Sequence, residues 1–314
     1  MTSHFPVMLD EVLGAVNPQD NDVIVDGTFG TGGYSRAFLE KADCKVIAID
    51  QDSNALQYAA QLEKDFGDRF LFIPGRFGDV VSLLHSEGFH SVDAFVLDVG
   101  VSSMQIDEAE RGFSFQKEGP LDMRMNTSSS LTAAKIINEY KEEDIANILY
   151  EFGEEKKSRP IAKKICEERL IAPIQTTHKL TEIIHSIVPK TFKTKIDPAT
   201  RSFQALRIAV NDELGELNRA LEASKSILNA GGRLVVVSFH SLEDRLVKKF
   251  LKKESGSLSQ GSRHFPQADT NQSPTFQFLN KNAIIATEEE ILKNSRSRSA
   301  KMRSAIKLDD EVMQ

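Results

Sequence analysis

Tryptophan is absent from this chain and cysteine nearly so: only Cys44 and Cys166 occur, far apart and in different segments. Two such thiols exclude a disulfide framework. The seven histidines never fall at zinc-ligand spacing with them, so no metal is expected. Two buried thiols in a reducing cytoplasm fit the pattern. Long apolar runs are missing too. No stretch approaches the roughly eighteen uninterrupted apolar residues of a membrane span. Met1 to Asp10 lack a basic start followed by an apolar run, so no secretory leader is expected. The expected location is cytoplasmic.

Positive charge is also in deficit. With 39 Lys and Arg against 46 Asp and Glu the net charge is -7, which at first sight opposes a nucleic-acid partner. The average conceals local bias. Lys156 to Lys195 holds ten basic residues against three acidic ones. Lys293 to Arg303 contains Lys293, Arg296, Arg298, Lys301 and Arg303 with no acid. A polyanion responds to the local field, so a basic face on an acidic protein is available. Solvated helix surfaces and a frayed tail account for the same residues equally well.

At 314 residues, 40% hydrophobic and 27% charged, the chain has room for one large α/β domain and a smaller module. Asn21 to Asp26 reads as a short buried strand, followed by a Gly-rich turn and a helix through Ser35 to Leu39. A strand from Lys45 to Ile49 ends in Asp50, and a helix spans about Ser53 to Phe66. Arg69 to Ile73 is a third strand, Val80 to His85 a short helix, and Val92 to Leu97 a fourth strand ending at Asp98. This alternation predicts a parallel sheet covered by helices, with ligands beyond the carboxyl ends of the strands. Asp26, Asp50 and Asp98 all fall at those ends.

The alternation then stops, and apolar residues from Leu131 to Ile187 recur at helical spacing. The pattern predicts a small all-helical domain inserted at 106–198 between two parts of a Rossmann-like domain, 1–105 and 199–314. The α/β pattern resumes with a helix carrying Phe203, Leu206, Val210 and Leu214 on one face, then a second helix and a strand from Leu234 to Val237. Ser241 with Asp244 resembles a capping-box start for the next helix. Residues from about 253 to 280, rich in Ser, Gln, Gly and Asn, are expected to form a mobile loop. Ile284 to Ala286 is a candidate final strand, antiparallel, ahead of a basic C-terminal tail.

The glycine run Asp26-Gly27-Thr28-Phe29-Gly30-Thr31-Gly32-Gly33 permits close approach of a ligand to the backbone. Counted from Gly30, the third glycine of a dinucleotide fingerprint falls on Ser35, so that match fails. Asp50, twenty residues after Gly30, is placed to hold a ribose diol. S-adenosylmethionine needs that clamp but has no pyrophosphate, and its cationic groups suit acids such as Asp26. A dinucleotide, or a tight turn without a ligand, remains the alternative. Phe77 fits beside an adenine or in the core. Asp98 opens a small polar loop at the start of the insertion, where an acceptor base is expected, although an acid that merely caps a loop fits as well.

Six blocks carry a resemblance across nearly the whole chain, which begins His4-Phe5-Pro6-Val7-Met8-Leu9 and continues through the glycine run. They are Asp98-Val99-Gly100-Val101-Ser102-Ser103, Ala109 to Phe115, Gly119 to Met125, Pro198 to Asn211, Ser238 to Arg245, and Arg298-Ser299-Ala300-Lys301-Met302-Arg303. The sequence resembles the bacterial methyltransferases that modify the exocyclic N4 amine of a cytidine in the decoding region of 16S ribosomal RNA, in the small subunit. The resemblance implies a class I methyltransferase fold with S-adenosyl-L-methionine as methyl donor. It also implies cofactor contacts at Gly32, Gly33, Tyr34, Asp50, Phe77, Asp98 and Gln105; Asp26 and Gly30 join them from the glycine turn. Two positions depart from the family, which often has His at Tyr34 and at Asp197. Candidate catalytic residues are Asp98, Ser102, Ser103 and His240, though His240 fits a purely local hydrogen bond too. Candidate RNA contacts are Arg124, Arg201, Arg296, Arg298, Lys301 and Arg303.

Overall fold

The computed structural model describes residues 6–191, 196–257 and 273–309, and the Ser103 side chain lies outside what it describes. The chain divides into two compact units, Met1–Gly100 with Leu214–Gln314, and Val101–Glu213.

The first unit starts with α1 (Leu9–Val16), β1 (Val23–Asp26), α2 (Gly33–Lys41), β2 (Lys45–Asp50), α3 (Leu56–Phe66), β3 (Phe70–Pro74), α4 (Val80–Ser86) and β4 (Val92–Asp98). The second unit holds α5 (Ser103–Asp107), α6 (Ala133–Glu139), α7 (Glu142–Gly153), α8 (Ser158–Arg169), α9 (Thr177–Ile187) and α10 (Ala199–Asn211). The chain then passes through α11 (Glu213–Ile227), β5 (Leu228–Ser238), α12 (Ser241–Glu254), β6 (Phe276–Phe278), β7 (Ile284–Ile285), α13 (Glu288–Lys293) and β8 (Lys301–Lys307).

The strands form one sheet in the order β3-β2-β1-β4-β5-β8-β6, with β7 also paired to β8. β1 to β5 run parallel, whereas β8 is antiparallel to β5 and to β6. The inner strands are buried on both faces, which is why Val23–Val25 and Leu234–Val237 are continuous apolar runs rather than alternating ones. Strand order reverses between β1 and β4. That is the topological switch point, where such sheets bind ligands.

The second unit is all-helical around Ile136, Leu149, Ile161, Ile165, Leu180 and Ile184. Helix α10 belongs here. Its apolar face, through Ala199, Phe203, Ala205 and Leu206, packs into this core, so the compact unit ends at Glu213 rather than at the expected 198. The periodicity of Phe203 and Leu206 was legible, but an apolar stripe does not name the surface that covers it.

Three further expectations change. The segment expected as a basic tail is in part a strand: Lys301 and Arg303 lie in β8, and Val236 pairs with Arg303. The cap of α12 is His240, with Glu243 at the reciprocal position, instead of Ser241 with Asp244. Of the loop expected at about 253–280, residues 258–272 lie outside the described ones, while the two ends belong to α12 and β6. Ile284–Ile285 is an antiparallel strand, as expected. Cys44 is buried and Cys166 half-buried, both as free thiols. No helix among the described residues is long and apolar enough to cross a membrane.

Candidate functional site

Parallel pairing puts Asp26 opposite Ala48 and Val96, Asp50 opposite Pro74 and Asp98 opposite Val237, so three carboxylates lie at the carboxyl ends of adjacent strands. The turn after β1 ties them together. Gly27 N–H donates to the Val96 carbonyl at 2.9 Å and Phe29 N–H to the Ile49 carbonyl at 3.1 Å. Asp98 N–H donates to Thr28 Oγ1 at 2.6 Å. Gly32 precedes α2 at φ 81°, a left-handed conformation that glycine adopts without penalty. Gly27 is small for another reason: a Cβ there would stand 2.6 Å from Leu97, 2.9 Å from Phe95 and 3.3 Å from Phe77.

Asp50 is oriented by backbone donors, among them Gly30 N–H to Oδ2 at 2.7 Å, Asp52 N–H to Oδ1 at 2.8 Å and the Gln51 N–H. A carboxylate has about four acceptor sites, so capacity remains for a ligand hydroxyl. Burial raises the Asp50 pKa despite those donors. Asp26 is wholly buried, with Oδ2 accepting from Ser35 Oγ at 2.7 Å and Oδ1 from Thr28 N–H at 3.3 Å. Burial pushes its pKa up to about 6, against those hydrogen bonds and assisted by the Asp50 charge. Asp98 Oδ1 is closed off from solvent without a hydrogen-bond partner. Burial, then the charges of Asp26 and Glu243, push the Asp98 pKa well above the usual carboxylate range. A cluster of acids raised in this way is suited to a ligand that brings positive charge.

The other expected residues divide. Phe77 lies against Gly27 in the turn after β3 and is half-buried. Gly33 packs closely on Pro6, since a Cβ there would meet Pro6 Cγ at 2.3 Å. The Tyr34 side chain is buried in the core, stacked on Phe38, with its hydroxyl donating to the Val7 carbonyl. Both residues therefore fasten the N-terminal segment to α2. In the second unit, Ser102 and Gln105 cap α5 reciprocally: Ser102 N–H donates to Gln105 Oε1 at 3.0 Å and Gln105 N–H to Ser102 Oγ at 3.3 Å. Ser103 is the first residue of that helix.

His240 turns both ring nitrogens toward Glu243. Nδ1 accepts from Glu243 N–H at 3.4 Å, and Nε2 stands 2.8 Å from Glu243 Oε1. The buried Glu243 carboxylate also accepts from the Phe239 and His240 N–H groups at 2.9 and 3.2 Å. Nδ1 thus caps α12, while Nε2 and Glu243 Oε1, though close, are buried without a hydrogen-bond partner.

Several basic candidates are committed inside the protein. Arg124 is bidentate to Asp122 at 2.7 and 2.6 Å and donates to the Thr127 and Ser129 carbonyls, which holds the Asp122 pKa down despite burial. Arg303 pairs with Asp244 at 2.7 Å, and Lys301 reaches the same carboxylate at 3.4 Å. Arg201 and Arg298 are exposed and Arg296 is half-buried. Asp197 accepts from His185 Nε2 at 2.8 Å, Lys190 Nζ at 3.0 Å and Ala199 N–H at 2.9 Å, so it serves the start of α10.

Sequence reasoning missed Thr28 and Ser35, the two hydroxyls that fix Asp98 and Asp26. Ser35 carried a signal, since it stands where the dinucleotide pattern has its third glycine. Glu216 was missed as well: besides Arg219 on its own helix, its partners Gly78 and Arg76 lie 138 and 140 positions away, beyond any local signal.

A family model described as the MraW methylase family matches residues 1–308. The Ribosomal RNA small subunit methyltransferase H of Rhodospirillum rubrum is 54% identical over 308 residues, covering 97% of this chain and 94% of its own length. The protein of the same name from Paramagnetospirillum magneticum is 52% identical over 303 residues, covering 96% and 95%. Among solved structures, a putative rRNA-methylase from Clostridium thermocellum is 10% identical with a TM-score of 0.45, covering 98% of both chains.

Proposed function

This chain belongs to the MraW methylase family, and from that premise we propose that it methylates the exocyclic N4 amine of a cytidine in 16S ribosomal RNA, with S-adenosyl-L-methionine as donor. The observation that carries the reading is Asp98: a carboxylate at the switch point of a parallel sheet, with one oxygen shut away from water and from every donor. When bound, S-adenosylmethionine supplies a methyl group on a positively charged sulfur, an electrophile strong enough for an amine whose lone pair is delocalised into a ring.

The residues present fit that group. Asp50 offers lone pairs for a ribose diol, fixed by the Gly30 and Asp52 N–H groups. Phe77, half-buried in the turn after β3 with its Cβ against Gly27, is the candidate for the adenine. Asp26 and Asp98 are acids whose pKa values are raised first by burial and then by neighbouring carboxylates, and a cationic ligand would favour their charged forms.

We assign the positioning of the reacting groups to Asp98. Its N–H is fixed by Thr28 and its carboxylate has acceptor capacity to spare at Oδ1. The N4 amine must lose a proton as the new bond forms. Burial raises the Asp98 pKa, which makes its carboxylate a stronger proton acceptor than an ordinary one. Alignment supplies the larger part of the rate, because effective molarities of well-oriented groups reach roughly 10⁵ M or more. His240 contributes by fixing the start of α12, which follows β5. The base reaches the enzyme unstacked from its neighbours, and the exposed Arg201 and Arg298 are the candidates for its flanking phosphates.

Incubation with small ribosomal subunits lacking the modification and radiolabelled cofactor, followed by nucleoside digestion, tests the reading. Label is expected in N4-methylcytidine. Label in another nucleoside, or none, overturns it.

A further inference from the structure

Helix α11 carries Glu216, whose carboxylate is 1% exposed and gathers three donors. Arg76 Nη1 donates to Oε1 at 2.9 Å, Arg219 Nη2 to Oε1 at 2.5 Å, and the Gly78 backbone N–H to Oε2 at 2.9 Å. Two of these donors flank Phe77 in sequence. The approach is so close that a Cβ at Gly78 would stand 2.4 Å from Oε2.

The segment held this way is the turn after β3. It is anchored at its start by Gly75 N–H, which donates to the Asp50 carbonyl at 2.9 Å. At its middle, Phe77 Cβ stands 3.3 Å from the position a Cβ would take on Gly27. One turn therefore touches the backbone of the ribose-binding acid and the glycine of the first turn, and Glu216 fixes it from behind. Burying a carboxylate for this purpose gains little stability, since apolar side chains of similar volume commonly do as well or better. What a carboxylate adds is direction: it accepts from a backbone N–H and from two guanidinium groups at once.

We propose that Glu216 is a positioning residue for the cofactor site, acting through Arg76 and Gly78 to hold Phe77 against Gly27. The inference rests on the reading of that turn as the S-adenosylmethionine site. It assigns no contact between Glu216 and the cofactor.

The test is binding of S-adenosylmethionine, by titration calorimetry, to wild type, Glu216→Gln, Glu216→Ala, Phe77→Ala and the double variant Glu216→Ala/Phe77→Ala, all below their melting temperatures. Glu216→Ala is expected to weaken binding about tenfold and Glu216→Gln about threefold, because the amide still offers Gly78 an acceptor but loses its charge toward the arginines. The KM for the cofactor should rise in step, with kcat at saturating cofactor within about threefold of wild type. The double variant should bind about as weakly as Phe77→Ala alone, a non-additivity that general destabilisation does not produce. Wild-type affinity in Glu216→Gln, or independent effects in the double variant, overturn the proposal. If Glu216→Ala does not fold, Glu216→Gln and its combination with Phe77→Ala decide the matter. Failure of the wild-type protein to bind S-adenosylmethionine sinks the reading of the site itself, a different result from equal binding by wild type and variants.

Discussion

At Asp98 a parallel strand delivers a carboxylate with one oxygen that meets neither water nor a donor, beside the charges of Asp26 and Glu243. If that group takes the amine proton, single-turnover methyl transfer should slow by at least about 100-fold in Asp98→Asn. The wild-type rate should fall as pH drops through the raised pKa. The acid limb of that profile should persist in His240→Asn, which retains a capping side chain. A near-normal rate in Asp98→Asn, or loss of the limb in His240→Asn, transfers the role elsewhere. Asp26 makes a separate prediction about stability. Its pKa of 3.8 rises to about 6 on folding, so the folded state holds the proton more tightly than the unfolded one. Stability is therefore complete below about pH 4 and falls as pH rises through about 6, by about 3 kcal/mol at pH 8. Asp26→Asn should melt higher than wild type at pH 8, with a smaller gap at pH 5, while binding the cofactor more weakly. Equal destabilisation at both pH values would show that this acid carries no such cost.

Helices and strands are set by how closely their backbones approach. In the helical unit, α7 ends at Gly153, where a Cβ would stand 2.5 Å from the Arg201 carbonyl and 3.1 Å from Ala205 Cβ on α10. The helices touch through that bare position, and the obstructing atom is backbone, which cannot rotate aside. Gly153→Ala should cost about 1–3 kcal/mol, the usual range for overpacking, despite alanine's better helix propensity. Denaturant unfolding measures this; an unchanged midpoint would mean that α7 and α10 are not held at this separation. Strand β8 teaches the complementary lesson. Its basic residues read as a tail in the sequence, yet Met302, Ser304 and Ala305 are buried against β5 and Arg303 is neutralised by Asp244. Alternation of exposed and buried residues was present in Lys301-Met302-Arg303-Ser304, but a run of charges obscured it.

For the whole molecule, net charge and RNA recognition must be reconciled. The chain is acidic overall, so phosphate binding relies on local basic groups that are not already paired within the protein. Arg298 is exposed, whereas Arg303 and Arg124 are held by Asp244 and Asp122. Charge reversal at Arg298 should weaken binding to undermethylated small subunits several-fold and flatten its salt dependence, leaving the single-turnover rate at saturation within about twofold. Arg303→Ala should instead lower the melting temperature. Reversal of those two outcomes would return β8 to the list of RNA contacts.

What the sequence determined by itself was whatever depends on neighbours in the chain. Apolar runs and glycines gave the parallel strands, and chain spacing alone put Asp26, Asp50 and Asp98 at their ends. The helical insertion was visible as a change of period. Only the tertiary structure decided which partners these groups meet. It put α10 with the helical unit, paired β8 with β5, turned His240 into a cap and Gly33 into a seat for Pro6, and closed Glu216 over the turn that bears Phe77. The physical reason is the range of the forces. Propensity and periodicity are local, whereas pairing of buried charges, close backbone approach and the covering of an apolar stripe involve residues brought together only when the chain has folded.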